Sequence, residues 1–256
     1  MKQLGNLKIN KLGKIFVFIY GLISYIIFLA TFLYTIGFLG NFIVPKSIDS
    51  NPEVSLTKAL ITNLILLTVF ALQHSVMARQ EFKIWWTKII PQPIERSTYV
   101  LCSSLALILL FWQWQPLGGI IWNIQNYSGR IISFSLFGFG WFLVLISTFF
   151  INHFDLFGLR QVYLYLINRE YTYLEFTTPA LYKIVRHPIY VGWLLAFWIT
   201  PTMTVAHFVF AIFTTIYILI AIRLEEKDLV AIYGENYEAY RRRVPMLIPF
   251  WRNYEL

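Results

Sequence analysis

Arg186, His187 and Pro188 stand together just ahead of one apolar stretch, and Glu225 with Glu226 stands at the far end of the next. Pro188 suits the first turn of a helix, and the free backbone N–H groups of a first turn attract anions rather than cations. A carboxylate or phosphate held between Arg186, His187 and those amides would resolve the conflict. Glu225 and Glu226 repeat it with the opposite sign, as anions at a helix C-terminus that invite a cation. A ligand with both a carboxylate and an ammonium, an amino acid moiety, would satisfy both ends. The bland alternative for Arg186 is a cation that follows the charge bias of membrane loops.

A second group offers acid–base chemistry. His153 and Asp155 could form a general base, the carboxylate orienting the imidazole and stabilising its protonated form. Residues two apart do not face each other on a helix, so the pair requires the chain to leave helical geometry after Asn152, as Gly158 permits. Asp155 paired with Arg160 at the interface is the plain alternative, and His74 is the alternative base. A metal site of His74, His153 and His187 also stays open, whereas the single cysteine, Cys102, lies in an apolar run and builds neither a disulfide framework nor a thiolate metal site. His207 falls near the opposite face and reads as structural. Tyr233, Tyr237 and Tyr240 recur at helical spacing. They line one face of a short helix, either an aromatic wall for an adenine ring or a sulfonium, or a surface helix with Arg241, Arg242 and Arg243 on anionic lipid.

These residues must be positioned by membrane helices. Of 256 residues, 58% are apolar, 19% aromatic and 13% charged, whereas ordinary globular chains carry about a quarter charged residues. Apolar runs at 15–39, 56–78, 97–117, 131–151 and 202–222 each suit one span of about 20 residues. The shorter run 188–200 cannot cross alone. It either extends back through 181–185 with a kink at Pro188, or forms half of a re-entrant hairpin turning at Pro201. The expected fold is an all-α integral membrane protein of five or six spans, with a Pro-broken C-terminal hairpin and a short cytoplasmic helix. One domain covers 1–256, with N-terminal spans in 15–151 and a cofactor-binding hairpin and tail in 180–256.

With six passes, basic residues number four in the N-terminal segment (Lys2, Lys8, Lys11, Lys14), four in 79–96, four in 160–186 and six from Arg223 onward, so 18 of 21 share one side. Only Lys46, Lys58 and Arg130 lie opposite, which places both termini in the cytoplasm. The net charge of +8 is met by this bias. No basic stripe interleaves with exposed aromatics, so nucleic acid is excluded as a partner. His74, His153, Asp155, Arg186, His187, Glu225 and Glu226 then all fall at one depth, near the cytoplasmic face.

The pattern of Arg186-His187-Pro188, Tyr190, Gly192, an apolar hairpin, Glu225-Glu226, Leu229, Tyr233-Gly234, Tyr237, Tyr240 and Arg243-Val244-Pro245 resembles the integral membrane methyltransferases related to isoprenylcysteine carboxyl methyltransferase. That resemblance implies an S-adenosylmethionine pocket facing the cytoplasm, with cofactor roles for Arg186, His187, Tyr190, Gly192, Glu225, Glu226 and Tyr237. A narrower likeness is carried by Gln73-His74-Ser75-Val76-Met77-Ala78-Arg79, by the residues from Pro93 to Val100, and by those from Asn152 to Gln161. Together these look like the bacterial methanethiol S-methyltransferases, and NnrU-type membrane proteins share part of the pattern. The likeness implies methylation of methanethiol to dimethyl sulfide in the bacterial inner membrane, among lipids, with Arg160 and Gln161 on the substrate side. It leaves the oligomeric state unknown. Two other classes remain beside it: a methyltransferase acting on a lipid or prenylated cysteine, which needs an opening between helices for a long chain, and a transport or non-enzymatic component, which would show paired broken helices in two related halves. The Pro188–Pro201 segment has no such partner in the first half.

Overall fold

The computed structural model describes residues 11–51, 53–172 and 174–249. Lys2, Lys8 and Arg252, counted above for topology, lie outside the described residues. Five helices are long and apolar enough to cross a membrane: α1 (Lys11–Gly40), α2 (Leu56–Ala78), α4 (Glu95–Gln113), α5 (Tyr127–Ile151) and α9 (Val205–Tyr233). Shorter helices are α3 (Gln80–Trp86), α6 (His153–Leu156), α7 (Leu159–Leu166), α8 (Pro188–Trp198) and α10 (Glu235–Arg243). The chain is an all-α multi-pass membrane protein, apart from a two-stranded antiparallel pairing of β1 (Ile120–Asn123) with β2 (Thr202–Thr204).

Its helices are inside out by the standard of a soluble protein. In α1 the buried positions include Gly21, Ser24, Thr31, Thr35 and Gly37, while Phe16, Ile23, Ile26 and Leu33 face outward. Small residues let membrane helices approach closely, and large apolar ones meet lipid. The buried hydroxyls close on their own helix: Ser24 donates to the Tyr20 carbonyl, Thr31 to Ile27, Thr35 to Thr31 and Ser147 to Leu143. Such i−4 bonds satisfy a polar group where no water reaches it.

The short run 188–200 takes the hairpin course. Helix α8 starts at Pro188 in its first turn and stops at Trp198, and 180–183 form a separate 3₁₀ turn, so no continuous helix extends back through 181–185. Residues 202–204, expected inside the last span, are extended instead. They pair with 120–123, and Trp122 Nε1 adds a 3.1 Å bond to the Thr200 carbonyl. The third run also ends early, at Gln113. Asn63 of α2 accepts from the Gln115 N–H at 2.8 Å and donates to its carbonyl at 2.6 Å, which takes both backbone groups of Gln115 out of any helix.

Helix α8 lies against α5 through backbone contact at Gly140 and Gly192. A Cβ on Gly192 would stand 2.7 Å from the Gly140 carbonyl oxygen, and one on Gly140 would stand 2.8 Å from the Ala196 nitrogen. Gly192, expected among the cofactor residues, is thus also the point at which the α8 backbone meets α5. The core around this seam contains Phe38, Trp114, Phe137, Trp141, Phe197 and Phe210.

Candidate active site

Polar side chains collect at the end of the bundle where α2, α5 and α9 finish and α4 and α8 begin. They form three networks.

The first joins α8, α9 and α10. Arg186 Nε donates to Glu226 Oε1 at 2.6 Å, and His187 Nε2 reaches the same oxygen at 3.0 Å. Arg186 Nη1 donates to the carbonyls of Arg241 and Val244 at 2.9 and 2.7 Å. The backbone N–H groups of Arg186 and His187 donate to Pro245 and Met246. One guanidinium thus closes the end of α10, where its unpaired carbonyls favour a cation, and neutralises Glu226. Arg186 and Glu226, expected at opposite ends of a ligand, compensate each other here, with side chains only 11% and 10% exposed. The carboxylate left to meet a ligand is Glu225, 45% exposed, which accepts from the Tyr190 hydroxyl at 3.1 Å.

Arg223, Glu226, Lys227 and Val230 of α9, with Arg241 of α10, line an open surface recess beside this network. The tyrosine series divides. Tyr233 ends α9, Gly234 turns the chain with φ of 54°, and Tyr237 and Tyr240 lie on α10, so the three do not share one short helix. Phe176 nonetheless gathers their rings, with centroids at 5.1, 5.7 and 5.5 Å. Burial pushes the Tyr237 and Tyr240 phenols up, which keeps both protonated as donors, and Tyr240 donates to the Tyr182 carbonyl at 2.6 Å.

The second network surrounds His74. The Tyr99 hydroxyl stands 2.8 Å from Nε2 and 3.1 Å from Nδ1, and Ser103 Oγ stands 3.1 Å from Nδ1. One residue along α2, Ser75 meets the Tyr217 hydroxyl at 3.2 Å. Arg79, at the end of α2, donates to the carbonyl of Leu224, the residue before Glu225, and pairs with Asp228 at 2.9 Å, so this network adjoins the first.

The third holds His153, but without Asp155 as its partner. The chain does leave helical geometry at Asn152, whose φ is 143°, and its side chain caps α6 by accepting from the Asp155 N–H. His153 then faces α1 and α5. Thr148 Oγ1 gives its proton to the Leu145 carbonyl, so it accepts from His153 Nδ1 at 2.8 Å, and Nε2 is left to accept from Tyr25 at 2.8 Å. Phe149 stacks on the ring at 4.3 Å, with Phe154 and Phe157 beside it. Burial pulls the His153 imidazole below the usual histidine range. Asp155 turns away to Arg160 at 2.9 Å and to the Tyr171 hydroxyl at 3.2 Å. Arg160 is further spent on the carbonyl and hydroxyl of Thr172. Gln161 donates to the Asp155 carbonyl, and its amide oxygen is buried without a partner.

His74, His153 and His187 therefore belong to separate networks. Among the described residues, no group of three or more His, Cys, Asp or Glu side chains is placed to hold a metal ion. Sequence reasoning missed Tyr25, Tyr99, Ser103, Tyr217 and Phe176. Four of these carry the readable signal of a hydroxyl inside an apolar run, and Phe176 carries none.

No family model matches the chain, and no solved structure matches it. Curated relatives do. A methanethiol S-methyltransferase of Crocosphaera subtropica is 63% identical over 250 residues, covering 98% of each chain. Another of the same name, from Mycobacterium tuberculosis, is 52% identical over 232 residues, covering 91% of this chain and 95% of its own. Nurim of Mus musculus is 29% identical over 184 residues, covering 68% of this chain and 70% of its own.

Proposed function

Because the chain belongs to the methanethiol S-methyltransferase family, we propose that it transfers a methyl group from S-adenosylmethionine to the sulfur of methanethiol and releases dimethyl sulfide. The long, near-complete likeness to relatives of that name carries the reading. The prenylated-cysteine, lipid and transport readings have no comparable support.

The residues at the cytoplasmic end suit this methyl donor. Glu225, half-exposed and steadied by Tyr190, fits an ammonium. Tyr237 is buried against Phe176 and Tyr240 and backs this end of the bundle. Arg186, Glu226 and His187 hold α8, α9 and α10 together around these groups. When bound, the donor supplies an electrophilic methyl carbon on a cationic sulfur; the acceptor sulfur bonds to that carbon as its bond to the donor sulfur breaks, with the electron pair staying on the donor.

The chain's own task is to take the thiol proton and exclude water. A neutral thiol is a poor nucleophile. We assign the proton to His74 rather than to the His153–Asp155 pair, because the His74 network adjoins the end of α9 that carries Glu225, whereas His153 lies inside an aromatic cage and Asp155 turns away to Arg160. Tyr99 and Ser103 orient the His74 ring. Both termini face the cytoplasm of a bacterial cell in this reading, supported by the 18 of 21 basic residues on that side.

The test is to incubate the purified protein with S-adenosylmethionine and methanethiol and to measure dimethyl sulfide in the headspace. His74→Ala should lower turnover by about 10² to 10⁴, the usual worth of a general base. That deficit should shrink as alkaline pH raises the thiolate fraction in solution. A pH-independent deficit, or near-normal turnover, removes His74 from the role, and absence of product from the wild-type protein removes the reading as a whole.

A further inference from the structure

Trp141 is 5% exposed, and its indole N–H has no acceptor. The Trp86 indole N–H shares this condition, whereas Trp114 donates to the Ile48 carbonyl at 3.1 Å, Trp122 to the Thr200 carbonyl at 3.1 Å, and Trp198 to Thr215 Oγ1 at 2.8 Å. An unpaired donor costs more in a bilayer, where water cannot serve it. Its surroundings offer only rings. Phe32 of α1 lies edge to face at 5.3 Å, Trp193 of α8 at 5.1 Å and Phe137 at 6.0 Å.

The placement of this box follows from the fold. Backbone contact between Gly140 and Gly192 brings α5 against α8, so that the next residue on each helix, Trp141 and Trp193, meets the other. Trp193 is three residues, nearly one turn, deeper along α8 than Tyr190, which holds Glu225. On the other side Phe32 touches Phe28, and Phe28 packs against the cluster of Met77, Tyr99 and Val100, of which Tyr99 is the partner of His74. The box thus sits on the membrane side of Tyr190 and Glu225, with Phe28 between it and the cluster that holds Tyr99.

We infer that Trp141, Phe32 and Trp193 form the acceptor site, in which the indole N–H binds the sulfur of a small alkanethiolate and the rings enclose its alkyl group. This rests on the methyltransferase reading above. A neutral thiol sulfur is a weak acceptor, whereas a hydrogen bond to an anionic sulfur is charge-assisted and stronger. The N–H therefore favours the deprotonated form and eases transfer of the proton to His74. After methylation the sulfur is a neutral thioether, the hydrogen bond weakens, and a wholly apolar product leaves into lipid. The three rings also set the size of the alkyl group that fits.

Trp141→Phe keeps a ring and removes the donor. In full-length protein in lipid nanodiscs, this variant should raise KM for methanethiol roughly ten- to a hundredfold, the usual worth of a hydrogen bond to a charged group. Calorimetric affinity for S-adenosylmethionine should stay at the wild-type value. Methanethiol alone should raise the thermal midpoint of the wild-type protein by ligand linkage, and this rise should vanish in Trp141→Phe. Should Trp141→Phe fail to fold, Trp193→Leu decides: by enlarging the box it should raise the turnover of ethanethiol relative to methanethiol at least severalfold. Wild-type KM in Trp141→Phe, or an unchanged thiol preference in Trp193→Leu, overturns the acceptor site. If the wild-type protein forms no dimethyl sulfide at all, the functional reading fails instead, and the donor-free thermal shift still reports whether the box binds the thiol.

Discussion

Arg186 and Glu226 supply the sharpest test of the site, because the structure and the sequence pattern assign them different work. If each grips one end of an amino acid moiety, Arg186→Ala and Glu226→Gln weaken donor binding independently and leave the fold intact. If they are partners at 2.6 Å with side chains about one-tenth exposed, removing either leaves a buried charge uncompensated, at a cost of about 3 to 5 kcal/mol. Solvent screening is small at that exposure. The loss is larger for Arg186→Ala, since the same guanidinium also closes the carbonyls of Arg241 and Val244. At roughly 2 to 4 °C per kcal/mol for a chain of this size, each single variant should lower the midpoint of thermal unfolding by about 6 to 20 °C. The double variant should lose less than the sum, by a coupling of about 1 to 3 kcal/mol. Thermal scans of the four proteins in one lipid or detergent, with calorimetric donor titrations alongside, complete the cycle. Single variants that unfold at the wild-type temperature, with strictly additive losses of donor affinity, would refute the ion pair and restore the two-ended grip.

His153 should make the protein acid-sensitive: burial holds its folded pKa below the unfolded value of about 6.5, so its stability contribution is complete above pH about 6.5 and is lost as pH falls toward the folded value. Thermal midpoints at pH 7.5 and 5.5 check this, with His153→Gln flattening the difference, and an equal acid response in that variant would assign the effect elsewhere. Reporter fusions after Pro45 and at the C-terminus should report opposite compartments, with the C-terminus inside, and cytoplasmic behaviour at Pro45 would overturn the topology.

The spans were legible because hydropathy reads what a bilayer demands of a helix. Residues 56–78 match α2 at both ends, and 15–39 fall within one residue of α1 at its C-terminal end. Boundaries failed where a side chain from another element overrode the apolar run, as Asn63 does at Gln115 and the β1 strand does at 202–204. The site followed the same division. That Arg186, His187, Glu225 and Glu226 gather at one end was readable from charge and span order, but the partnership of Arg186 with Glu226 joins residues 40 apart in the chain. Likewise the break at Asn152 was legible as a condition for His153 to act, whereas its actual partner, Tyr25, lies 128 residues away. Sequence shows which polar groups a membrane helix carries and leaves open which of them are satisfied.

That difference is where functional information resides in such a protein. A polar group buried in lipid must be paired or pay several kcal/mol for its isolation, and here Ser24, Thr31, Thr35 and Ser147 are closed by their own helices, Asn63 by a neighbouring backbone, and Arg186, Glu226 and His187 by one another. Groups so closed hold the bundle together and have little left to offer a small molecule. Besides orphans such as the Gln161 amide oxygen, two open groups bear on the proposed reaction: the Glu225 carboxylate, partly solvated beside Tyr190, and the Trp141 N–H, sealed among rings. One suits a cation and the other an electron-rich sulfur, and the Tyr190–Trp193 turn of α8 separates them by depth. In the proposed reaction that order puts the charged donor toward water and the apolar acceptor toward lipid, so the two sulfurs approach the methyl carbon from opposite sides.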